Sequence, residues 1–99
     1  MTLLTLLAAC DDSPPLTEAA QRGRAIWAVH CTACHAADPK LPGSLGPEVA
    51  GASKSLLEAR VLRAAYPEGY TPKRDTTLMQ PMPHLAADID DLEAFLAAP

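Results

Sequence analysis

Aromatic side chains are scarce in this sequence: one Trp, two Tyr and one Phe among 99 residues. A chain of that length forms one domain with a modest core, which usually needs a staple such as a disulfide, a metal or a cofactor. With four rings to fill it, such a core packs better around a large flat apolar group than around itself. Alternating polar and apolar stretches are missing too, and so is any internal repeat, which leaves helices as the regular structure. No apolar run is long enough to cross a bilayer, since Leu3–Ala9 is far short of a spanning helix. Positive charge is in deficit, with eight Lys and Arg against twelve Asp and Glu and a formal net charge of −4. That balance excludes non-specific nucleic-acid binding and says little about protein partners. Three cysteines are too few for a disulfide framework, and the number is odd.

What the chain does contain is organised by its helix signals and its prolines. Asp11 to Leu16, with Ser13-Pro14-Pro15, reads as a short tether. We therefore divide the chain into a leader and tether, residues 1–16, and one domain, residues 17–99. Thr17 is placed to cap a first helix whose inward face runs through Ala20, Gly23 and Trp27, flanked by Ala19 and Ile26. Between Ala36 and Gly51 the periodicity vanishes among Pro39, Pro42, Gly43, Gly46 and Pro47, which predicts a long loop wrapped around something. Ser55-Leu56-Leu57-Glu58 has the spacing of a capping box and predicts a second helix through Leu57, Val61 and Ala65, ended by Pro67 and Gly69. A second loop holds Lys73, Arg74 and Met79-Gln80-Pro81-Met82-Pro83. The last helix is expected to start near Asp88 as its cap, with Asp90 and Asp91 at its positive end and Ile89, Leu92, Phe95 and Leu96 inward.

The chemistry is concentrated where the first helix ends, at Cys31-Thr32-Ala33-Cys34-His35. Cys-x-x-Cys-His is the sequence handle for c-type haem attachment. Two thiols on one turn reach the two vinyl groups on one edge of a porphyrin, and the adjacent imidazole is offered to the iron. Competing readings fail on context. A zinc ribbon needs a second ligand pair, which His84 alone does not supply. A redox dithiol belongs to a strand–helix setting, and a disulfide across two residues is strained. Iron held by His on one side and Met on the other has a raised potential, because the soft thioether favours Fe(II).

These features together resemble the class I c-type cytochromes over roughly residues 17–97. Gly23-Arg24-Ala25-Ile26-Trp27 is similar to that family's first helix, and Leu92-Glu93-Ala94-Phe95-Leu96 to its closing helix. The resemblance implies an all-α cytochrome c fold of about three main helices around one covalent haem. It also implies a right-angle crossing of the first and last helices at Gly23, with Trp27 and Phe95 packed beside it. Gly46-Pro47 resembles the family turn whose proline carbonyl accepts a hydrogen bond from the proximal imidazole, which would make Pro47 the partner of His35. Met79 and Met82 both lie where the family places its distal ligand. Met79, ten residues before Ile89, has the better register; Met82, seven before it, is the alternative and would otherwise pack against the haem or the loop. His84 is a much weaker candidate ligand, and His30 should point away from the iron toward the surface or the haem edge.

Cys10 needs its own account. Leu7-Ala8-Ala9-Cys10 resembles the lipobox of bacterial lipoproteins, which implies lipid on Cys10 and membrane contact in the periplasm. No Lys or Arg precedes the apolar run, as an export signal would have, which points to a true start further upstream. Asp11 and Asp12 resemble an inner-membrane retention signal. The implied function is a single-electron carrier, not an enzyme, docking transiently with redox proteins at an exposed haem edge. The alternatives are a haem enzyme or gas or redox sensor with an open distal site, and a cytochrome subunit of a larger oxidoreductase.

Overall fold

Thr17 starts the regular structure by a local bargain: its backbone stays extended while its hydroxyl accepts a hydrogen bond from the Ala20 amide at 3.1 Å. The computed structural model describes residues 14–99, and α1 follows the cap as Glu18–His30. Cys10 and the leader therefore lie outside the described residues. Ala20, Gly23 and Trp27 are the buried positions of α1, the stripe that the spacing predicts. After a loop with no regular structure, α2 covers Lys54–Leu57 and runs straight into a π-helical turn, Glu58–Leu62. A 3₁₀ turn, Pro83–Asp88, leads into α3, Ile89–Ala97. The described residues contain no strand, and none of their helices is long and apolar enough to cross a membrane.

Packing is organised by the α1–α3 crossing. A Cβ on Gly23 would overlap the Asp91 carbonyl oxygen and lie 2.9 Å from Phe95 Cβ, so only glycine lets the two backbones approach this closely. Beside the crossing the Trp27 and Phe95 rings sit 6.1 Å apart at 50°. Ile89, Leu92, Phe95 and Leu96 of α3 are all buried, as expected, and Leu92 and Leu96 are the largest fully enclosed side chains. Each such leucine contributes about 1.5–3 kcal/mol by leaving water.

Three local details differ from the sequence expectation. The cap of α2 is Ser53, whose hydroxyl accepts from the Leu56 amide at 3.2 Å, and not Ser55. The helical segment stops at Leu62 rather than at Pro67. Ala64 turns into the left-handed region (φ 51°), and the amides of Ala64 and Ala65 return to the carbonyls of Arg60 and Ala59. Asp88 stands at the α3 cap but makes no side-chain capping bond, because the 3₁₀ turn already runs into the helix. The neighbouring acids bind other elements instead. Asp91 takes both ends of a forked contact from Arg22 of α1 (3.1 Å each), and Asp90 meets Lys54 of α2 at 2.8 Å. These are solvent-exposed pairs, so they orient the helices more than they stabilise them.

Two glycine exchanges should act in opposite directions. Gly23→Ala should lower unfolding free energy by about 2 kcal/mol, the overlap outweighing the better helix propensity. Ala64→Gly should raise it by about 0.5 kcal/mol, because glycine carries no penalty at positive φ. Urea unfolding of the haem-loaded protein reads both.

Candidate haem site

The turn after α1 is an extension of the helix. The Cys31 amide bonds back to Trp27 O at 2.9 Å, and the amides of Cys34 and His35 both bond to Cys31 O (3.3 and 2.9 Å). Both thiols and the imidazole are thereby fixed on a single turn. Trp27 holds the far side of that turn as well: its indole N–H is shared between the carbonyls of Ala36 and Ala37, 3.2 Å each, and its ring lies 5.4 Å from that of His35.

The first loop then folds back over this turn. The Leu45 and Gly46 amides both donate to Cys34 O (3.1 and 2.9 Å), and the Gly43 amide donates to Gly46 O at 2.9 Å. A Cβ on Gly46 would overlap His35 Cε1 and stand 2.5 Å from Nδ1, so the imidazole lies flat against bare backbone. His35 Nδ1 is 3.0 Å from Pro47 O. A carbonyl only accepts, so Nδ1 carries the proton and the Nε2 lone pair is free for a metal.

These residues wall one side of a cavity of 610 Å³ that also touches Val49, Leu56, Leu57, Val61, Met79 and Met82. Protein interiors do not sustain packing defects of that size, whereas binding cavities for large ligands fall in this range. The donor set and the cavity fit haem: thiols beside one another, an imidazole with a free nitrogen, two thioethers and mostly apolar walls. Burial pushes the Cys31 thiol up to about 11, so it is a neutral S–H at neutral pH.

Several contributors were not legible as site residues in the sequence. Arg60, Tyr66 and Tyr70 line the cavity, with Arg60 4.1 Å above the Tyr66 ring and the two tyrosines stacked at 5.5 Å. Their only signal was spacing: Arg60 falls three to four residues after Leu56 and Leu57, on the cavity face. Lys73 and Arg74, whose place in the second loop gave no sign of a structural role, tie the two loops together. Lys73 reaches Glu48 through its carbonyl (2.9 Å) and carboxylate (3.3 Å), while Arg74 donates to Gly43 O at 3.3 and 3.4 Å. Hydrogen bonding from its own backbone, and then Lys73, hold the Glu48 carboxyl below its usual range. His30 is exposed at the cavity rim, and His84 is exposed beside it.

No curated protein and no solved structure matches the chain significantly. A family model described as Cytochrome c matches residues 20–98, from the buried start of α1 to the end of α3. The chain therefore belongs to the cytochrome c family, whose cofactor is covalently bound haem c with its iron and whose chemistry is haem-based electron transfer.

Proposed function

We propose that this protein is a single-electron carrier in which Cys31 and Cys34 hold the haem as thioethers and His35 and Met79 are the axial ligands. When bound, the haem supplies an iron centre that alternates between Fe(III) and Fe(II). The observation that carries the reading is the hydrogen bond from His35 Nδ1 to Pro47 O, which fixes the tautomer that offers Nε2 and raises its basicity. A ligand fixed in this way moves little between oxidation states, as an outer-sphere carrier requires.

Register favours Met79 over Met82 as the distal ligand: both line the cavity, and Met79 lies ten residues before Ile89. In this reading Met82, whose backbone is tied to Val61 O at 2.6 Å, serves as apolar wall, for which an adaptable thioether is well suited. Arg60, Lys73 and Arg74 supply positive charge to the cavity and are suited to the haem carboxylates.

Leu45 and Leu78 line the cavity yet remain 46% and 56% exposed, an apolar rim fitted to small, short-lived contacts with redox proteins. In this reading the carrier works in the bacterial periplasm, held at the membrane by lipid on Cys10, and has no enzymatic activity of its own.

The test is the oxidised absorption spectrum of the exported, haem-loaded protein and its Met79→Ala and Met82→Ala variants. Met79→Ala should abolish the weak long-wavelength charge-transfer band of a thioether-ligated ferric haem. It should also lower the midpoint potential by on the order of 0.1 V or more. Met82→Ala should keep the band. Loss in Met82→Ala alone would transfer the ligand role to that residue. A wild-type protein that lacks the band and binds carbon monoxide readily has an open iron, and the carrier reading fails.

A further inference from the structure

We propose that His30 and His84 form a two-imidazole site for an exchangeable divalent transition-metal cation of the zinc or copper class. The two residues are far apart in sequence, yet their ring centres lie 5.7 Å apart at 67°. Neither ring nitrogen has a hydrogen-bond or ion-pair partner among the described residues, and both side chains are exposed. Four imidazole nitrogens are thus gathered in one place with no structural task.

The geometry is close to that of a chelate. Two imidazoles sharing one zinc through bonds of about 2.0–2.1 Å in a tetrahedral arrangement have ring centres roughly 5 Å apart. Both side chains are exposed, which leaves the rings room to turn. Both backbones are well held. His30 is the last residue of α1, and His84 follows Pro83 inside the 3₁₀ turn. His30 also lies in the final turn of α1, where the outward carbonyls carry partial negative charge and favour a cation.

Among the described residues no group of three or more His, Cys, Asp and Glu could hold a metal. Water would fill the remaining positions. The site is therefore open and exchangeable, with copper(II) preferred to zinc by intrinsic affinity. A bound cation would bridge the end of α1, which runs directly into Cys31, to the turn that follows Met82. It would sit at the cavity rim, because His30 lines the cavity. Binding depends on the two imidazoles alone and does not depend on which methionine meets the iron.

Calorimetric titration of zinc chloride into the haem-loaded protein at neutral pH tests the site, with zinc-dependent thermal unfolding as a second readout. One equivalent should bind and raise the unfolding midpoint. His30→Gln and His84→Gln should each weaken binding by about tenfold or more, because the chelate is lost with either ligand, and the double variant should not bind zinc. Both positions are exposed, and an unchanged far-ultraviolet circular dichroism spectrum will confirm that each variant is folded. Three results would overturn the site: no zinc binding by the wild type, affinity unchanged in either single variant, or wild-type affinity retained in the double.

Discussion

The close approach of α1 and α3 at Gly23 is the contact on which the rest of the molecule depends. With no Cβ at that position, α3 lies against the α1 backbone at Asp91 and Phe95. The side chains on either side of Gly23 then act as guides. Arg22 grips Asp91, and Trp27, one turn further on, meets Phe95. Trp27 in turn uses its indole N–H to hold the chain just beyond His35. One missing methyl group therefore sets the position of the Cys31–His35 turn relative to the rest of the core. The arrangement economises on aromatic rings. Trp27 alone serves both the helix contact and the turn, which is how a chain with only four aromatic residues builds a usable frame.

How much of this was legible follows from the range of each interaction. The cap at Thr17, the Ala20–Gly23–Trp27 face and the Ile89–Leu92–Phe95–Leu96 stripe are products of spacing within one helix, and spacing is what a sequence displays. The Cys31–His35 group was legible for the same reason, as five consecutive residues. Ser53 as the α2 cap was not. Ser55 and Glu58 have the right separation for a capping box, but Ser53 keeps the extended backbone (φ −71°, ψ 158°) that a cap requires. The earlier start also brings Lys54 to Asp90 of α3, a contact no local pattern records. The π turn at Glu58–Leu62 was equally hidden, because its wider winding breaks the 3.6-residue rhythm on which the helix assignment rested. The acids at the start of α3 suggested helix electrostatics; only the tertiary structure reveals that two of them reach across to other helices.

The two sides of the cavity are built in physically different ways. The His35 side is over-determined. Gly43 and Gly46 bring backbone where no side chain would fit, a Cβ on Gly43 falling 2.5 Å from His35 Cα, and Cys34 O accepts two amides at once. The methionine side has fewer ties, of which the Met82 amide to Val61 is the most direct. A loop held at so few points is adaptable, and adaptability is of little use to a carrier whose iron should keep the same ligands in both oxidation states.

Lys73 and Arg74 resolve that difference. They lie in the loop that leads to Met79, and their bonds end on Glu48 and Gly43, which bracket the Gly46-Pro47 turn against the imidazole. Each bond is modest, since Lys73 is exposed and the Arg74 contacts are long. Their value lies in where they connect. A displacement of the methionine loop pulls on the same turn that sets the His35 hydrogen bond, which links the positions of the two proposed ligands. Neutralising or shortening either cation would leave the helical frame at Gly23 untouched while uncoupling the two faces of the site. The cost would therefore appear in how sharply the iron's environment is defined more than in whether the chain folds.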